Sequence, residues 1–269
     1  MLKSLAYAAV TLSLCAVPAA ATDIRNPLTE SATWADLAFD VVGDAKLGDG
    51  ASVFVMDAPY RAHDAAIVPV SIKQIDGAAP IRSLTFVVDE NPAPLVAEIE
   101  FGDAMMPLNF ETRMRVDQYS NIRAIAATDD GMFMDGRFVK ASGGCSAPAT
   151  KDMAAALAAM GQMKLKSFGD EPAMSGAIRE AQIMIRHPNY SGLQRDQVTH
   201  LFINAHFINR LDVFQGDEKL FSLEGGISIS ENPVFRFNYR DNGAAAFRVR
   251  AEDTDGNVFE EVLSKSISS

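Results

Sequence analysis

The chain carries two cysteines, Cys15 and Cys145, and the second has the surroundings of a working thiol. It stands in Lys140-Ala141-Ser142-Gly143-Gly144-Cys145-Ser146-Ala147-Pro148-Ala149, where no large side chain flanks the sulfur. Gly143 and Gly144 free the backbone just before it, and Pro148 discourages a regular strand or helix across the segment. Ser146 follows the cysteine with another small side chain. This composition predicts an exposed, mobile arm that presents sulfur to another molecule. The thiolate is the nucleophilic form of cysteine, and Lys140 is the nearby cation in sequence that would favour it.

Other residue types that do chemistry fall into blander patterns. The four histidines, His63, His187, His200 and His206, show no metal-ligand spacing with Cys145, so structural hydrogen bonding is their expected role. Twelve methionines, among them Met105-Met106 and Met132-Phe133-Met134, read as core filling rather than a copper site. Asp129-Asp130 and Glu260-Glu261 read as turn and solvated-face acids. Phosphate loops, nucleophile elbows and metalloprotease helices are missing from the sequence. Asn189-Tyr190-Ser191 matches a glycosylation sequon, to which no role is assigned.

The first 21 residues account for the other cysteine. Lys3, the apolar run from Leu5 to Val17 and the small residues Ala19-Ala20-Ala21 form the three parts of a secretory leader, with cleavage expected before Thr22. The run is too short for a membrane helix, and no later run approaches the roughly 20 apolar residues a span needs. The expected mature protein is exported to the periplasm, where an oxidising environment makes an odd cysteine noteworthy. The formal net charge of −11 and pI near 4.8 argue against nucleic-acid binding, which needs a basic patch. With 269 residues, 48% of them apolar, the chain has enough material for one large core or two small ones.

The elements that must position the thiol are mostly strands. One helix is predicted over Thr29 to Val42, with Trp34, Leu37, Ala38 and Val41 on one face and Ser31 or Thr33 as its cap. After Gly48-Asp49-Gly50, short β-branched runs lead to Leu84–Val88, Val96–Phe101 and Phe110–Val116, the last two alternating as half-buried antiparallel strands do. Beyond the cysteine, Lys151 to Met163 reads as a short linking helix and Gly169-Asp170-Glu171-Pro172 as loop. Strands are then expected over Ala177–Arg186, Leu201–Asn209, Arg210–Phe214, Lys219–Leu223, Val234–Tyr239, Ala245–Arg250 and Val258–Ser266. Asp241-Asn242-Gly243 and Asp253-Thr254-Asp255-Gly256-Asn257 supply hairpin turns. The expected class is all-β, with two immunoglobulin-like sandwiches. The boundaries are 1–21 for the leader, 22–150 for the first sandwich with its cysteine arm, 151–168 for the linker and 169–269 for the second sandwich.

An ordered set of short motifs resembles the two subunits of the bacterial sulfur-carrier complex. Trp34, Asp57-Ala58-Pro59, Val68-Pro69-Val70, Glu90-Asn91-Pro92-Ala93-Pro94 and Gly143-Gly144-Cys145 are similar to SoxY. His187-Pro188, Gly192-Leu193, Ala205-His206-Phe207-Ile208, Ile227-Ser228-Ile229-Ser230-Glu231-Asn232-Pro233 and Asp255-Gly256 are similar to SoxZ. The fused order resembles SoxYZ-like carriers associated with quinoprotein dehydrogenases. The resemblance implies a covalent carrier without catalysis of its own, needing no cofactor, in which Cys145 holds thiosulfate-derived sulfur for periplasmic enzymes. Two departures from the SoxY pattern, Ser146 after the cysteine and a chain that continues past the arm, would restrict how deeply Cys145 enters a partner. The competing readings are an assembly module for a quinoprotein dehydrogenase with an incidental thiol, and a thiol enzyme such as a peroxide reductant. The latter needs a base or cation against the sulfur, for which the sequence offers only Lys140.

Overall fold

A computed structural model describes residues 26–148, 153–168 and 176–265. The expected leader, Ala149, the first two residues of the expected linking helix and the Gly169–Pro172 loop lie outside the described residues. The first half contains α1 (Ala32–Val42) and the strands β1 (Leu47–Asp49), β2 (Phe54–Asp57), β3 (Val68–Gln74), β4 (Ile81–Val88), β5 (Leu95–Phe101), β6 (Asn109–Met114), β7 (Ser120–Thr128) and β8 (Gly131–Val139). A short helix α2 (Met153–Ala158) precedes β9 (Met163–Phe168), β10 (Ile178–Ile185), β11 (Ile208–Gln215), β12 (Glu218–Gly225), β13 (Val234–Arg240), β14 (Ala246–Asp253) and β15 (Val258–Ser264).

The strands form two sheets, and both run through the two halves. The larger has the order β1-β8-β7-β4-β5-β12-β11-β14-β15, and the smaller β2-β3-β6-β13-β10-β9. Each half is thus an immunoglobulin-like sandwich, and the sandwiches join edge to edge through both layers. β5 pairs antiparallel with β12 from Phe101↔Phe221 to Ala97↔Gly225. β6 pairs with β13 at Phe110↔Phe237 and Glu111↔Arg236. Edge strands left bare would expose a row of unpaired backbone groups; here each half covers an edge of the other in both sheets.

The core follows from alternation. In β14, Phe247, Val249, Ala251 and Asp253 point inward while the residues between them are half-exposed. β3 buries Val68, Val70, Ile72 and Gln74 in the same way, as period-2 geometry requires. The inward rings interlock across the seam: Phe110 meets Phe101 at 5.4 Å and Phe221 at 5.5 Å, both edge-on, and Phe221 meets Phe237 at 5.3 Å. Buried residues of both halves belong to one continuous cluster.

α1 begins as expected, with the Ser31 hydroxyl accepting the Trp34 N–H at 3.1 Å. Its predicted apolar face, Trp34, Leu37, Ala38 and Val41, is half-buried. The Trp34 ring lies under the Arg123 guanidinium at 4.5 Å, and Arg123 makes a buried bidentate pair with Asp89 at 2.7 and 2.8 Å. The strand expected over Leu201–Asn209 starts only at Ile208. The Asp196 carboxylate takes the Val198 and Thr199 N–H groups, and His200 adopts φ 57°. Backbone donors there are satisfied locally, which keeps Leu201 and Phe202 out on the surface.

With one core spanning both halves, calorimetry of the whole chain should show a single cooperative unfolding transition. Phe110→Ala should lower its midpoint by on the order of 10 °C, since truncating a buried Phe costs about 3–5 kcal/mol. Two resolved transitions, or a change confined to one half, would contradict a shared core.

Candidate functional site

The thiol sits where the ends of β6 and β8 meet the second half. After β6, Arg115 donates its backbone N–H to Ser228 at 2.7 Å, and Val116 donates to Ala65 at 2.8 Å. After β8, Gly143 donates to the Asp117 carbonyl at 2.7 Å and Gly144 to the Val116 carbonyl at 3.1 Å. The Cys145 N–H is taken by the Asp117 carboxylate at 3.1 Å. Asn91 supports this arrangement from the β4–β5 turn, accepting the Asp117 N–H at 2.8 Å and donating to the Arg115 carbonyl and the Ser228 hydroxyl at 2.8 and 2.9 Å.

Three carbonyls of the turn, those of Gly144, Cys145 and Ala147, are held by groups around it, two of them directly by the second half. Arg115 Nη1 donates to Gly144 O at 3.1 Å while its Nη2 donates to Asn189 O at 3.1 Å. The Ser191 hydroxyl donates to the Cys145 carbonyl in a short hydrogen bond, and Gln194 Nε2 donates to Ala147 O at 3.0 Å. Every one of these contacts is to backbone; the sulfur itself is left free of them.

The expected exposed arm is therefore a packed turn, and Cys145 has no solvent-accessible surface. Small residues permit close packing as readily as mobility, and here the packing prevails. A Cβ at Gly144 would stand 2.1 Å from Ala65 O and 2.6 Å from Val116 O, so this glycine serves backbone approach. Gly143 serves the turn through its φ of 77°. Ser146 is exposed, and its hydroxyl reaches Gly143 O at 3.4 Å. Gly144→Ala should destabilise the protein by roughly 1–3 kcal/mol or more, read as a lower denaturant midpoint, because backbone on both sides must shift. An unchanged midpoint would mean the turn is looser than its contacts indicate.

The electrostatics also depart from expectation. Lys140 places Nζ over the Tyr60 and Tyr119 rings at 4.8 and 5.9 Å, an aromatic setting for its charge. The cation that acts on the sulfur is Arg115. Burial pushes the Cys145 thiol up to about 12 from an ordinary 9.0, the Asp117 carboxylate adds to the rise, and Arg115 opposes it. The resting thiol is protonated and shielded, so a thiol enzyme poised for attack finds no support in this geometry.

The histidines converge where the sequence showed no cluster. His206 Nε2 meets Asp253 Oδ2 at 2.7 Å and His187 Nε2 meets the same oxygen at 3.4 Å, with the rings edge-on at 4.9 Å. These three residues have ligand atoms close enough to share an ion. His187 Nδ1, however, accepts the Asn189 N–H at 3.0 Å, which assigns its proton to Nε2. A metal on Nε2 would displace that proton and leave the ring anionic. Asp253 also takes the Asn257 N–H and side-chain amide, both at 2.9 Å, and its carboxyl is held down at about 2 by these and the two histidines, against the effect of burial. Asn189 is buried too, bonded to Ser230 O and the Ile208 N–H, so its sequon is inaccessible in the folded chain.

The sequence did not mark Asn91, Arg115, Asp117, Ser191 and Gln194 as the residues that hold the turn. Asn91 lies inside the SoxY-like motif Glu90-Asn91-Pro92-Ala93-Pro94, Ser191 ends the sequon, and Gln194 follows Gly192-Leu193. Comparison with protein families gives these halves their kinship. The family model for sulfur oxidation protein SoxY matches residues 39–145 and that for sulphur oxidation protein SoxZ matches residues 169–264. The chain is a fused SoxYZ-like protein. No curated protein matches it. The SoxY match ends on Cys145, and the SoxZ-like half contributes Ser191 and Gln194, so the thiol is enclosed by both family units. These two domains support a carrier role in sulfur oxidation.

The thiol's elevated value has a consequence for stability. A group whose folded value lies above its unfolded one stabilises the fold below the unfolded value. That contribution, roughly a few kcal/mol, should disappear as pH rises from about 9 to about 12. Tyr239, also pushed up to about 12, mainly by burial, adds a loss above pH 10. The difference between wild type and Cys145→Ala isolates the thiol: wild type should lose more stability between pH 9 and 12. Near pH 8 the native thiol should react with iodoacetamide roughly a hundredfold or more slower than in urea. Equal rates would show an open thiol.

Proposed function

We propose that this SoxYZ-like protein is a periplasmic covalent sulfur carrier whose Cys145 thiol holds thiosulfate-derived or related intermediates and offers them to partner enzymes. It acts as carrier rather than catalyst, needs no cofactor beyond the covalent sulfur adduct, and serves sulfur-oxidising enzymes linked to a quinoprotein dehydrogenase system. The observation that carries this reading is the way the thiol is enclosed. Ser191, Gln194 and Arg115 hold the turn only by its carbonyls. Hydrogen bonds of this kind contribute about 0.5–1.5 kcal/mol each, more to a charged donor, so a few must exchange for the thiol to emerge. A carrier needs both states: closed, where a reactive sulfur conjugate is kept from water and stray thiols, and open, where a partner reaches it.

The second reading is an assembly module for a quinoprotein dehydrogenase in which the thiol is incidental. Complete burial of Cys145 and its protonated state favour that reading. Intact-protein mass spectrometry separates the two. Native protein incubated with tetrathionate should gain an adduct that reductant removes, and Cys145→Ala should gain none. Ser191→Ala together with Gln194→Ala should speed conjugation severalfold by loosening the turn. A native chain that takes up no adduct over hours, or an adduct that persists in Cys145→Ala, would overturn the carrier and leave the assembly module.

A further inference from the structure

Two arginines are buried among the described residues, and they are treated differently by the fold. Arg123 is neutralised by the bidentate Asp89 carboxylate. Arg115 is only 1% exposed, yet among the described residues its guanidinium has two carbonyl oxygens as partners, no carboxylate in ion-pair contact, and an Nε–H with no acceptor. Buried guanidinium groups are rare unless paired, because an unpaired charge loses its hydration without return. Burial accordingly lowers the Arg115 value from its ordinary one, with Cys145, Glu231 and Asp64 acting in the opposite sense.

Arg115 is also a wall of a cavity of about 570 Å³ that lies beside the cysteine turn. Ala147 and Pro148, just past Cys145, form one side, and Arg113 and Gln182 bring further donors. Two acids complete the wall. Asp64 is exposed and takes the Ala66 N–H at 2.8 Å. Glu231 takes the Asn232 amide at 3.2 Å; burial pushes its carboxyl upward while Arg115 pulls it down, and the two make no ion-pair contact among the described residues. The other buried polar atoms without partners among the described residues, the Tyr190 hydroxyl and the Ser230 hydroxyl, belong to the segments around Asn189. All three orphaned groups can donate a hydrogen bond, and of them Arg115 lines this cavity.

We infer that Arg115, with Arg113 beside it, is the counter-ion for an anionic sulfur-oxyanion group carried on Cys145, and that the cavity accepts such a conjugate in preference to a neutral one. The inference rests on the carrier reading and specifies its cargo. A thiosulfonate or sulfonate on the sulfur brings a permanent negative charge and several acceptor oxygens to a guanidinium that lacks both. Charge-assisted bonds of this type are the strong ones. A neutral disulfide would fill the same space and leave Arg115 unpaired. Arg115 thus selects cargo by charge, as a specificity-determining residue.

The test compares two conjugates on the full chain, both installed in urea so that access to the native thiol plays no part. Tetrathionate is attacked by the thiolate at an inner sulfur: a Cys145 S–S bond forms, the central S–S bond breaks, thiosulfate leaves and the thiol proton passes to solvent. The product is an anionic S-thiosulfonate. Methyl methanethiosulfonate forms a neutral methyl disulfide in the same way, with methanesulfinate leaving. After urea removal, the anionic conjugate should melt roughly 4 °C or more above the neutral one. The gap should close in Arg115→Met and narrow in Arg113→Gln, which remains informative if the former variant fails to fold. Equal midpoints, a more stable methyl disulfide, failure of the anionic conjugate to refold, or a gap untouched by both substitutions overturns the inference. Failure of the carrier reading shows elsewhere, in a native chain that takes up no adduct.

Discussion

The pairing of β5 with β12 and of β6 with β13, closed by the rings of Phe101, Phe110, Phe221 and Phe237, is the contact on which the rest of the structure depends. It joins two sandwiches through both layers at once, so their relative position is set by strand register and by interlocked rings. Residues beyond the end of β6 are then delivered against the β10–β11 connection of the other half. Arg115 meets Asn189, and Ser191 meets Cys145, only because that register is fixed. The cost of slipping one residue along either strand pair would be large, since every inward ring would turn outward.

That constraint explains how a cysteine among glycines comes to be buried. Burial and the proximity of the Asp117 carboxylate keep the thiol protonated. A handful of backbone-directed hydrogen bonds from Arg115, Ser191 and Gln194 hold the turn closed over it. Because the chain continues into α2, the turn is anchored on both sides, and opening is a local exchange of contacts rather than the sweep of a free end. The histidine pair on Asp253 supports the same region, since its buried member His187 holds the Asn189 backbone.

Much of the architecture was legible in the sequence. The alternation in Val96–Phe101, Phe110–Val116 and Val234–Tyr239 marked strands within a residue or two of their ends, and Ser31 marked the start of α1. Where the reading failed, local competition was the reason: Leu201–Phe207 has strand-like composition, but Asp196 and the turn at His200 satisfy its backbone otherwise. Strands β7 and β9 went unnoticed because Ser120–Thr128 is buried on both faces and Met163 stands at the end of an Ala-rich helical run. At the site, Cys145 and its glycines stood out by type, whereas the side chains of Asn91, Arg115 and Asp117 reach the turn only because of where the fold places their backbone.

By itself the sequence determined the class of the fold, the order of the two halves, their kinship with SoxY and SoxZ, and the place of Cys145 among small residues. These are properties of pattern and of residue type, and pattern survives without knowledge of the third dimension. Only the tertiary structure decided that the cysteine is enclosed, that Arg115 rather than Lys140 is its cation, and that three histidine and aspartate side chains converge. The physical reason is that burial and electrostatic partnership depend on distances between segments far apart in the chain. Gly144 has the same permissive backbone in an arm or in a packed turn, and the carbonyls of Ala65 and Val116 beside it decide which it occupies.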